Sequence, residues 1–211
     1  RGVSYEATGF LISDIFSPNV VNRENVVLSE SISRRQRYAV FGDVRLEYKS
    51  IASIGITGRN DWTSTLPQNA RTFYSPSYSA SFTYSELFKN SNKWYGKLRA
   101  SFAKVGKDAP IYRTNSNLVQ AYTVGGGFVN AATGGNPDLG PEKTQELELG
   151  TELSFFKNRL KFDLAIYERK SIDMIMTPRV PLPSGYVIMT FNAGSLRNRG
   201  VEFSVTGTPI K

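Results

Sequence analysis

The ionisable side chains that could do chemistry are concentrated in one acidic stretch. Its members are Glu142, Glu146, Glu148 and Glu152. Glu146 and Glu148 stand two positions apart, so an extended strand would place both carboxylates on one face. Such a pair could act as acid and base at a glycosidic bond or hold a cation. We favour a simpler interpretation, a solvated polar face whose charge is balanced by Lys97 and Arg99.

The residue types that most often catalyse reactions are missing from the chain. It contains no histidine and no cysteine, which removes the Ser-His-Asp triad and thiolate metal sites. Gly125-Gly126-Gly127 lacks the Lys and the Ser or Thr of a phosphate-binding loop, so we interpret it as flexible loop. The sequence therefore predicts no catalytic residue, no metal site and no cofactor, and a protein that is not an enzyme.

Ligand contact is more plausible in the stretch 105–143, where aromatic and amide side chains mix. Aromatic rings offer flat platforms and amides offer hydrogen bonds, a combination that suits sugars or peptides. The same combination suits packing against a partner or neighbouring loops. The candidate contact residues are Tyr112, Arg113, Asn115, Asn117, Tyr122, Phe128 and Asn130.

The elements that must position these residues are strands. In residues 74–85 every even position is apolar or aromatic and every odd position is Ser or Thr, which gives an extended segment one apolar and one hydroxyl-lined face. No apolar run approaches the ~18–20 residues of a membrane helix. Similar alternation recurs near 3–7, 38–48, 52–59, 94–102, 147–155, 160–169 and 201–207.

The connections between these segments alternate in length. Short ones are expected at 49–50, 85–93 and 157–159, and long ones at 9–36, 62–73, 105–143 and 171–196. An up-and-down meander with all long loops at one end gives this order, as in outer-membrane barrels. Aromatic girdles are predicted at both ends of the strands. Their members are Tyr48, Tyr84, Trp94, Tyr95 and Phe155 at the short turns, and Tyr38, Trp62, Tyr74, Phe102 and Tyr167 at the long loops.

Four kinds of protein are open to this chain, of which an outer-membrane enzyme is disfavoured because the chain contains no histidine. The net charge of +8 comes from 26 basic and 18 acidic residues without a long basic run, so we expect no nucleic acid partner. The leading hypothesis is an all-β, antiparallel up-and-down transmembrane β-barrel segment. A complete small eight-stranded structural barrel of the outer membrane is a second hypothesis, and a soluble carbohydrate-binding β-sandwich a third. The chain starts mid-pattern with no signal peptide, so we expect a piece of something longer.

Several phrases resemble the SusC/RagA family of TonB-dependent outer-membrane transporters. The segment 38–48 ends in a Tyr as the family's strand does, and 56–62 is similar to its Arg-x-Asp element. Segments 73–80, 98–106 and 136–144 resemble a Ser-rich strand, a Leu-Arg-x-Ser strand and a loop that re-enters the barrel. Asn192-Ala193-Gly194-Ser195-Leu196-Arg197-Asn198-Arg199-Gly200-Val201-Glu202 matches best. Phe102-Ala103 and Gly140-Pro141 depart from the family's usual pairs.

The resemblance implies an active transporter of oligosaccharides or peptides in the outer membrane of a Bacteroidota-type Gram-negative cell. It implies a barrel of about 22 strands, of which residues 1–211 would supply about eight, with the plug domain and TonB box outside this chain. The expected partners are outer-membrane lipid, a SusD-like lipoprotein at the extracellular face, TonB through the plug, and the substrate.

Proline and glycine positions give local predictions. Pro76 should mark a bulge, since it cannot donate a ladder hydrogen bond. Gly194 and Gly200 should allow a bulge or a close backbone approach where the last strand begins. Pro137 and Pro141 should end the long loop and exclude a helix there.

Overall fold

Strands dominate the fold, as the alternating pattern predicts. The computed structural model describes residues 2–7, 26–88, 94–120 and 126–208. The chain divides into two units, residues 1–35 and 36–211. None of the described helices is long and apolar enough to cross a membrane.

The first unit is a two-stranded antiparallel sheet. Strand β1 (Gly2–Ala7) pairs with β2 (Val26–Ser31), with Tyr5 opposite Leu28. The sequence predicted β1 but placed β2 inside one long connection, 9–36, and that prediction was wrong. Strand β2 begins with three consecutive apolar residues followed by Ser-Glu-Ser, so it lacks the period-two signal.

The second unit is built on one seven-stranded antiparallel sheet. Each strand of this sheet pairs with the strand of the same sheet that comes before it in the chain, and we call these seven the wall strands. In sheet order from the carboxyl-terminal edge, the strands are β13, β11, β10, β6, β5, β4 and β3. Their bounds are β3 Arg37–Tyr48, β4 Ala52–Thr63, β5 Thr72–Phe82, β6 Trp94–Lys107, β10 Glu142–Phe155, β11 Leu160–Met176 and β13 Phe191–Gly207. The predicted meander is confirmed.

The connections at the two ends of this sheet differ in kind. Tyr48 pairs with Ala52, so residues 49–51 form the turn between β3 and β4. Lys49 and Ser50 both have positive φ, and the Ile51 N–H donates to the Tyr48 carbonyl, which closes a tight hairpin turn. Short 3₁₀ helices occupy Gln68–Ala70, Tyr84–Leu87 and Leu182–Ser184. The predicted contrast in length holds for 49–51 and 156–159 at one end and for 108–141 and 177–190 at the other. It was wrong for the remaining pair, because 83–93 at the short-turn end is longer than 64–71 at the long-loop end.

Small strands tie the long connections together. Within 108–141, β7 (Leu118–Gln120) pairs with β8 (Phe128–Asn130) as a hairpin. Strand β9 (Thr133–Gly134) pairs in parallel with β12 (Ile188–Met189), which joins that connection to 177–190. The described part of 108–141 contains no helix, and β10 begins directly after Pro141, as the proline positions predicted.

Two wall strands are longer than the sequence predicted. Strand β11 runs on to Met176 and β13 begins at Phe191, so the expected connection 171–196 shortens to 177–190. The hydrophobic alternation fails there because a bulge interrupts it. The pairing of β11 with β13 shifts between Ser171 and Ile175, and Asp173 has φ 56°. Gly194 lies opposite Met174 in this irregular stretch, which confirms the predicted bulge but places it inside the strand.

The other two predictions for single residues had different outcomes. Pro76 forms no bulge, since it stands in register opposite Gly58 and the pairing of β5 with β6 starts only at Ser77. A proline fits there because the ladder to β6 has already ended. A Cβ on Gly200 would lie 2.6 Å from the Tyr167 ring, so a close approach exists, but it is made by a side chain and lies inside β13 rather than at its start.

The two faces of the sheet differ in polarity along its whole width. One row of facing residues crosses all seven strands and is apolar throughout, yet its ends at Leu46 and Val201 are 67% and 69% exposed. A soluble sandwich would cover such a row with a second sheet, and the described residues provide none. The row is Leu46, Ile54, Ala80, Ala100, Leu149, Ile166 and Val201. We call this side the apolar face and the opposite side the polar face.

The predicted aromatic girdles are mostly on the apolar face. Tyr38 stacks on Trp62 with ring centroids 5.1 Å apart at the long-loop end, and Tyr84 contacts Trp94 at the short-turn end. Two members were assigned wrongly, because Tyr95 and Tyr167 occupy alternate positions that belong to the polar face.

Candidate functional site

An ion network across three strands dominates the polar face. Arg99 on β6 donates through Nη1 and Nη2 to the two Asp163 carboxylate oxygens on β11, at 2.7 and 2.8 Å. The same guanidinium donates to Glu152 at 3.0 Å and to Glu148 at 3.3 Å on β10. Gly150 makes this possible, since a Cβ there would lie 2.6 Å from Arg99 Nε.

The acidic stretch therefore does not act as a carboxylate pair. Glu148 bonds Arg99, whereas Glu146 bonds Arg169 on the neighbouring strand. Glu142 pairs with Lys107 at 2.9 Å. Every glutamate of the stretch contacts a cation, with Glu148 and Glu152 sharing Arg99, which agrees with the interpretation of a charge-balanced polar face. Within the described ranges, no group of three acidic, His or Cys residues could hold a metal ion.

A second ion cluster stands where β3 and β4 reach the long connections. Asp61 is 1% exposed and accepts hydrogen bonds from Arg37 and Arg59. The Arg37 Nη2 to Asp61 Oδ1 distance is 2.9 Å and the Arg59 Nε to Asp61 Oδ2 distance is 2.8 Å. A buried carboxylate needs such partners, so this cluster fixes the ends of both strands.

The bases of two long connections are joined by a buried hydroxyl–carboxylate group. Thr63 and Thr65 donate to Asp108 Oδ2 at 2.7 and 3.2 Å. Beside them lies the hydrophobic cluster of the sheet's loop end, whose members are Leu66, Phe73, Ala109 and Leu139. These contacts hold the segment after β4 against the segment after β6, although more than 40 residues separate them in sequence.

The two segments enclose a polar cavity of about 340 Å³. Tyr112, Asn115 and Asn117 from the 108–141 connection line one side, and Arg71 lines the other. Arg71 Nε donates to the Leu66 carbonyl at 3.2 Å, which holds the guanidinium at the wall. The remaining lining residues are Ser64, Thr65, Leu66, Pro67, Thr114 and Pro137.

Sequence and structural comparisons agree on the family. The family model described as "TonB dependent receptor-like, beta-barrel" matches residues 1–208. The chain belongs to the TonB-dependent receptor β-barrel family. TonB-dependent receptor P26 of Formosa agariphila is 30% identical over all of this chain, and TonB-dependent receptor SusC of Bacteroides thetaiotaomicron is 31% identical over 48% of it.

Solved structures give the same answer for this TonB-dependent receptor barrel. The RagAB peptide importer in its closed-closed state superposes on 95% of the chain with a TM-score of 0.81 and 25% identity. The siderophore receptor PirA from Pseudomonas aeruginosa, 20% identical with a TM-score of 0.58, shares the fold. The chain spans 22% of the length of P26 and of the RagAB chain. The resemblance to SusC and RagA is thus confirmed.

The barrel segment brings together three of the seven candidate contact residues. Tyr112, Asn115 and Asn117 share the loop cavity. Arg113 is next to it, where its carbonyl accepts the Asn136 N–H at 2.8 Å. The structure places Phe128 and Asn130 elsewhere, on strand β8 of the small hairpin, and Tyr122 lies outside the described residues.

Sequence inspection of this receptor barrel missed the other wall of the cavity. Arg71 and the segment 64–67 were assigned to a plain connection. No local signal marks them, because the two walls of the cavity belong to segments that the Thr63–Asp108 contact brings together from distant parts of the sequence. A proline shortly after a strand end, here Pro67, indicates a turn. It does not indicate which residues the turn lies against.

Proposed function

We propose that the chain forms part of the wall and the extracellular loops of a SusC-like, TonB-dependent active transporter in the outer membrane. The observation that carries this proposal is the exposed apolar row from Leu46 to Val201, which runs across seven strands opposite a charged polar face. A membrane-spanning barrel needs lipid outside and water inside, and this sheet has one face suited to each.

The substrates we propose are oligosaccharides or peptides, captured at the long-loop end. The loop cavity supports this because Tyr112 offers a flat ring, Asn115 and Asn117 offer amides, and Arg71 offers a cation for an anionic group. RagAB, which this chain resembles in structure, is a peptide importer. Arg113, Phe128 and Asn130 remain candidate contacts outside the cavity wall, and Tyr122 remains a candidate that lies outside the described residues.

The partners follow from the same proposal. A SusD-like lipoprotein would dock over the long connections at the extracellular face, and TonB would act through a plug domain encoded outside residues 1–211. Capture under the lipoprotein, movement of the plug and passage along the polar face would then form one transport cycle, with the strands serving as wall.

Spin labels on neighbouring residues test the wall assignment. The chain has no cysteine, so Leu98→Cys and Arg99→Cys each give one label site within this segment. In the full-length transporter reconstituted in vesicles, we expect oxygen to broaden the label at 98 and a water-soluble nickel complex to broaden the label at 99. Equal access of both reagents to both labels would refute the membrane wall.

Substrate contact is tested by uptake and binding with cavity variants of the full-length transporter. Tyr112→Ala and Asn117→Ala should each weaken substrate binding about tenfold, because each removes one packed or hydrogen-bonded contact. Phe128→Ala, on the hairpin outside the cavity, tests the other group of candidate contacts and should bind substrate normally if the cavity is the site. Loss of binding in Phe128→Ala with normal binding in the two cavity variants would move the site to the hairpin.

A further inference from the structure

The apolar face changes character along β6, β10, β11 and β13 near the long loops. One row of facing residues there is Lys104, Gln145, Lys170 and Arg197. These positions alternate correctly with Phe102, Leu147 and the other members of the apolar face, so their side chains belong to the same outward side. Three cations therefore stand directly beyond the apolar band.

The next row of facing residues on β11 and β13 adds another cation. Arg199 stands opposite Glu168 in the pairing of β11 with β13. Glu168 also accepts hydrogen bonds from Arg197 Nη2 on both carboxylate oxygens, Oε1 at 2.7 Å and Oε2 at 2.8 Å. Arg199 Nε reaches the same carboxylate at 2.6 Å. One carboxylate thus serves two guanidinium groups. We call Lys104, Lys170, Arg197 and Arg199 the basic rim.

Such a row is unfavourable unless an anion accompanies it. Lys170 and Arg197 are direct partners across the strands, and like charges in that position repel. Gln145, between Lys104 and Lys170, contributes no charge. The four cations and the single Glu168 leave this part of the outward side positive, so it is complementary to a phosphate-bearing group.

An apolar groove begins where the basic rim ends. Its volume is about 370 Å³, and Leu147, Leu149, Ile166 and Val201 line it. Glu168 and Arg199 stand at its boundary. The groove lies on the outward side, and its apolar lining suits a hydrocarbon chain. A cationic edge directly above such a groove matches an amphipathic anion.

The basic rim covers only part of the border of the apolar face. On β3 and β4 the corresponding border is the stacked pair Tyr38 and Trp62, and on β5 it carries Tyr74. Aromatic borders suit any lipid interface, whereas four cations select for negative charge. The difference between the two borders indicates a localised site.

We propose that the basic rim and the groove below it form a binding site for a phosphate-bearing membrane lipid. The phosphate would lie among Lys170, Arg197 and Arg199, with Lys104 at the far side, and an acyl chain would lie along Leu149 and Ile166. This proposal rests on the proposed function, since it requires the apolar face to contact the membrane. A free phosphate would use the cations alone and leave the groove without a role.

The experiment measures lipid binding to the full-length transporter by native mass spectrometry in detergent. The probe is bisphosphorylated lipid A, compared with phosphatidylcholine and with inorganic phosphate as competitor. Arg197→Gln/Arg199→Gln and Lys104→Gln/Lys170→Gln remove two rim cations each. Lys97→Gln/Lys161→Gln removes two cations from the polar face and is the matched control.

We expect lipid A to bind more tightly than phosphatidylcholine, and each rim variant to weaken it about 25-fold, at about fivefold per cation near an anionic lipid surface. The control variant should bind as the unaltered protein does. Equal affinity for phosphatidylcholine, competition by millimolar inorganic phosphate, or equal loss in the control would each overturn the proposal. Lipid exposure of the label at 98 with unchanged lipid A binding in both rim variants would reject this site and leave the barrel wall standing.

Discussion

Gly150→Ala should destabilise the barrel by displacing Arg99. The added Cβ would lie 2.6 Å from Arg99 Nε and 2.8 Å from its Cζ, so the guanidinium must leave its position. The side chain has freedom to do so, and the damage is therefore loss of hydrogen bonds rather than strain. Its contacts to Glu148, Glu152 and Asp163 depend on the guanidinium lying across β10.

The magnitude follows from how exposed the network is. Arg99 is 28% exposed and Asp163 41%, so each ion pair contributes at the level of partly exposed pairs, about 0.2–1 kcal/mol. Three pairs give about 2 kcal/mol. Replacing Gly by Ala reduces the entropy of the unfolded chain and returns about 0.5 kcal/mol. The net expectation is a loss of about 1–1.5 kcal/mol in the free energy of unfolding.

The assay is guanidinium-induced unfolding of the full-length protein in detergent, followed by tryptophan fluorescence. Gly42→Ala is the matched control, because a Cβ at Gly42 has nothing within 4 Å. It should be neutral or stabilising by about 0.5 kcal/mol. In an Arg99→Ala background, Gly150→Ala should lose its destabilising effect. An equally large effect in that background would refute the role assigned to Arg99.

Three further changes probe the loop end of the sheet. Asp61→Ala should cost about 2 kcal/mol, because two arginines lose a buried acceptor, and hydrogen exchange should rise at 64–71; unchanged exchange would contradict the clamp. Asp108→Ala leaves the hydroxyls of Thr63 and Thr65 without the carboxylate acceptor and should lower the melting temperature more than Asp108→Asn does. Equal melting temperatures of the two variants would contradict this role of Asp108. Tyr38→Ala should red-shift Trp62 emission and cost about 1 kcal/mol, and Tyr38→Phe should preserve both.

The strands of the seven-stranded sheet were predictable because the sheet has one apolar and one polar face. Alternation survives wherever a strand has an apolar and a polar side, and it located most of the seven wall strands. It failed at β2, whose apolar residues are consecutive, and around Asp173, where a bulge changes which side chain belongs to which face. The first half of β13 was also missed, because Arg197 and Arg199 occupy positions where the alternating pattern requires apolar residues.

The loop cavity was only half predictable. Tyr112, Asn115 and Asn117 are conspicuous in sequence because aromatic and amide residues cluster there. Arg71 shares the cavity with them although it comes from a distant segment, which the Thr63–Asp108 contact holds in place. Contacts between distant segments leave no local pattern in the sequence. The same holds for the parallel pairing of Thr133 with Ile188, which joins two connections.

Each wall strand pairs with the wall strand before it in the chain, and this order determines how much the loops can vary in length and sequence. The connection 108–141 is longer than the turn 49–51 by about three to four doublings of loop length. The additional entropy cost of closing the longer loop is therefore only about 2 kcal/mol. The fourteen-residue strands β6 and β10 pair along their full length on either side of that connection. Loops at this end can therefore lengthen, shorten or be exchanged while the hairpins beneath them still form, which separates the evolution of recognition from that of assembly.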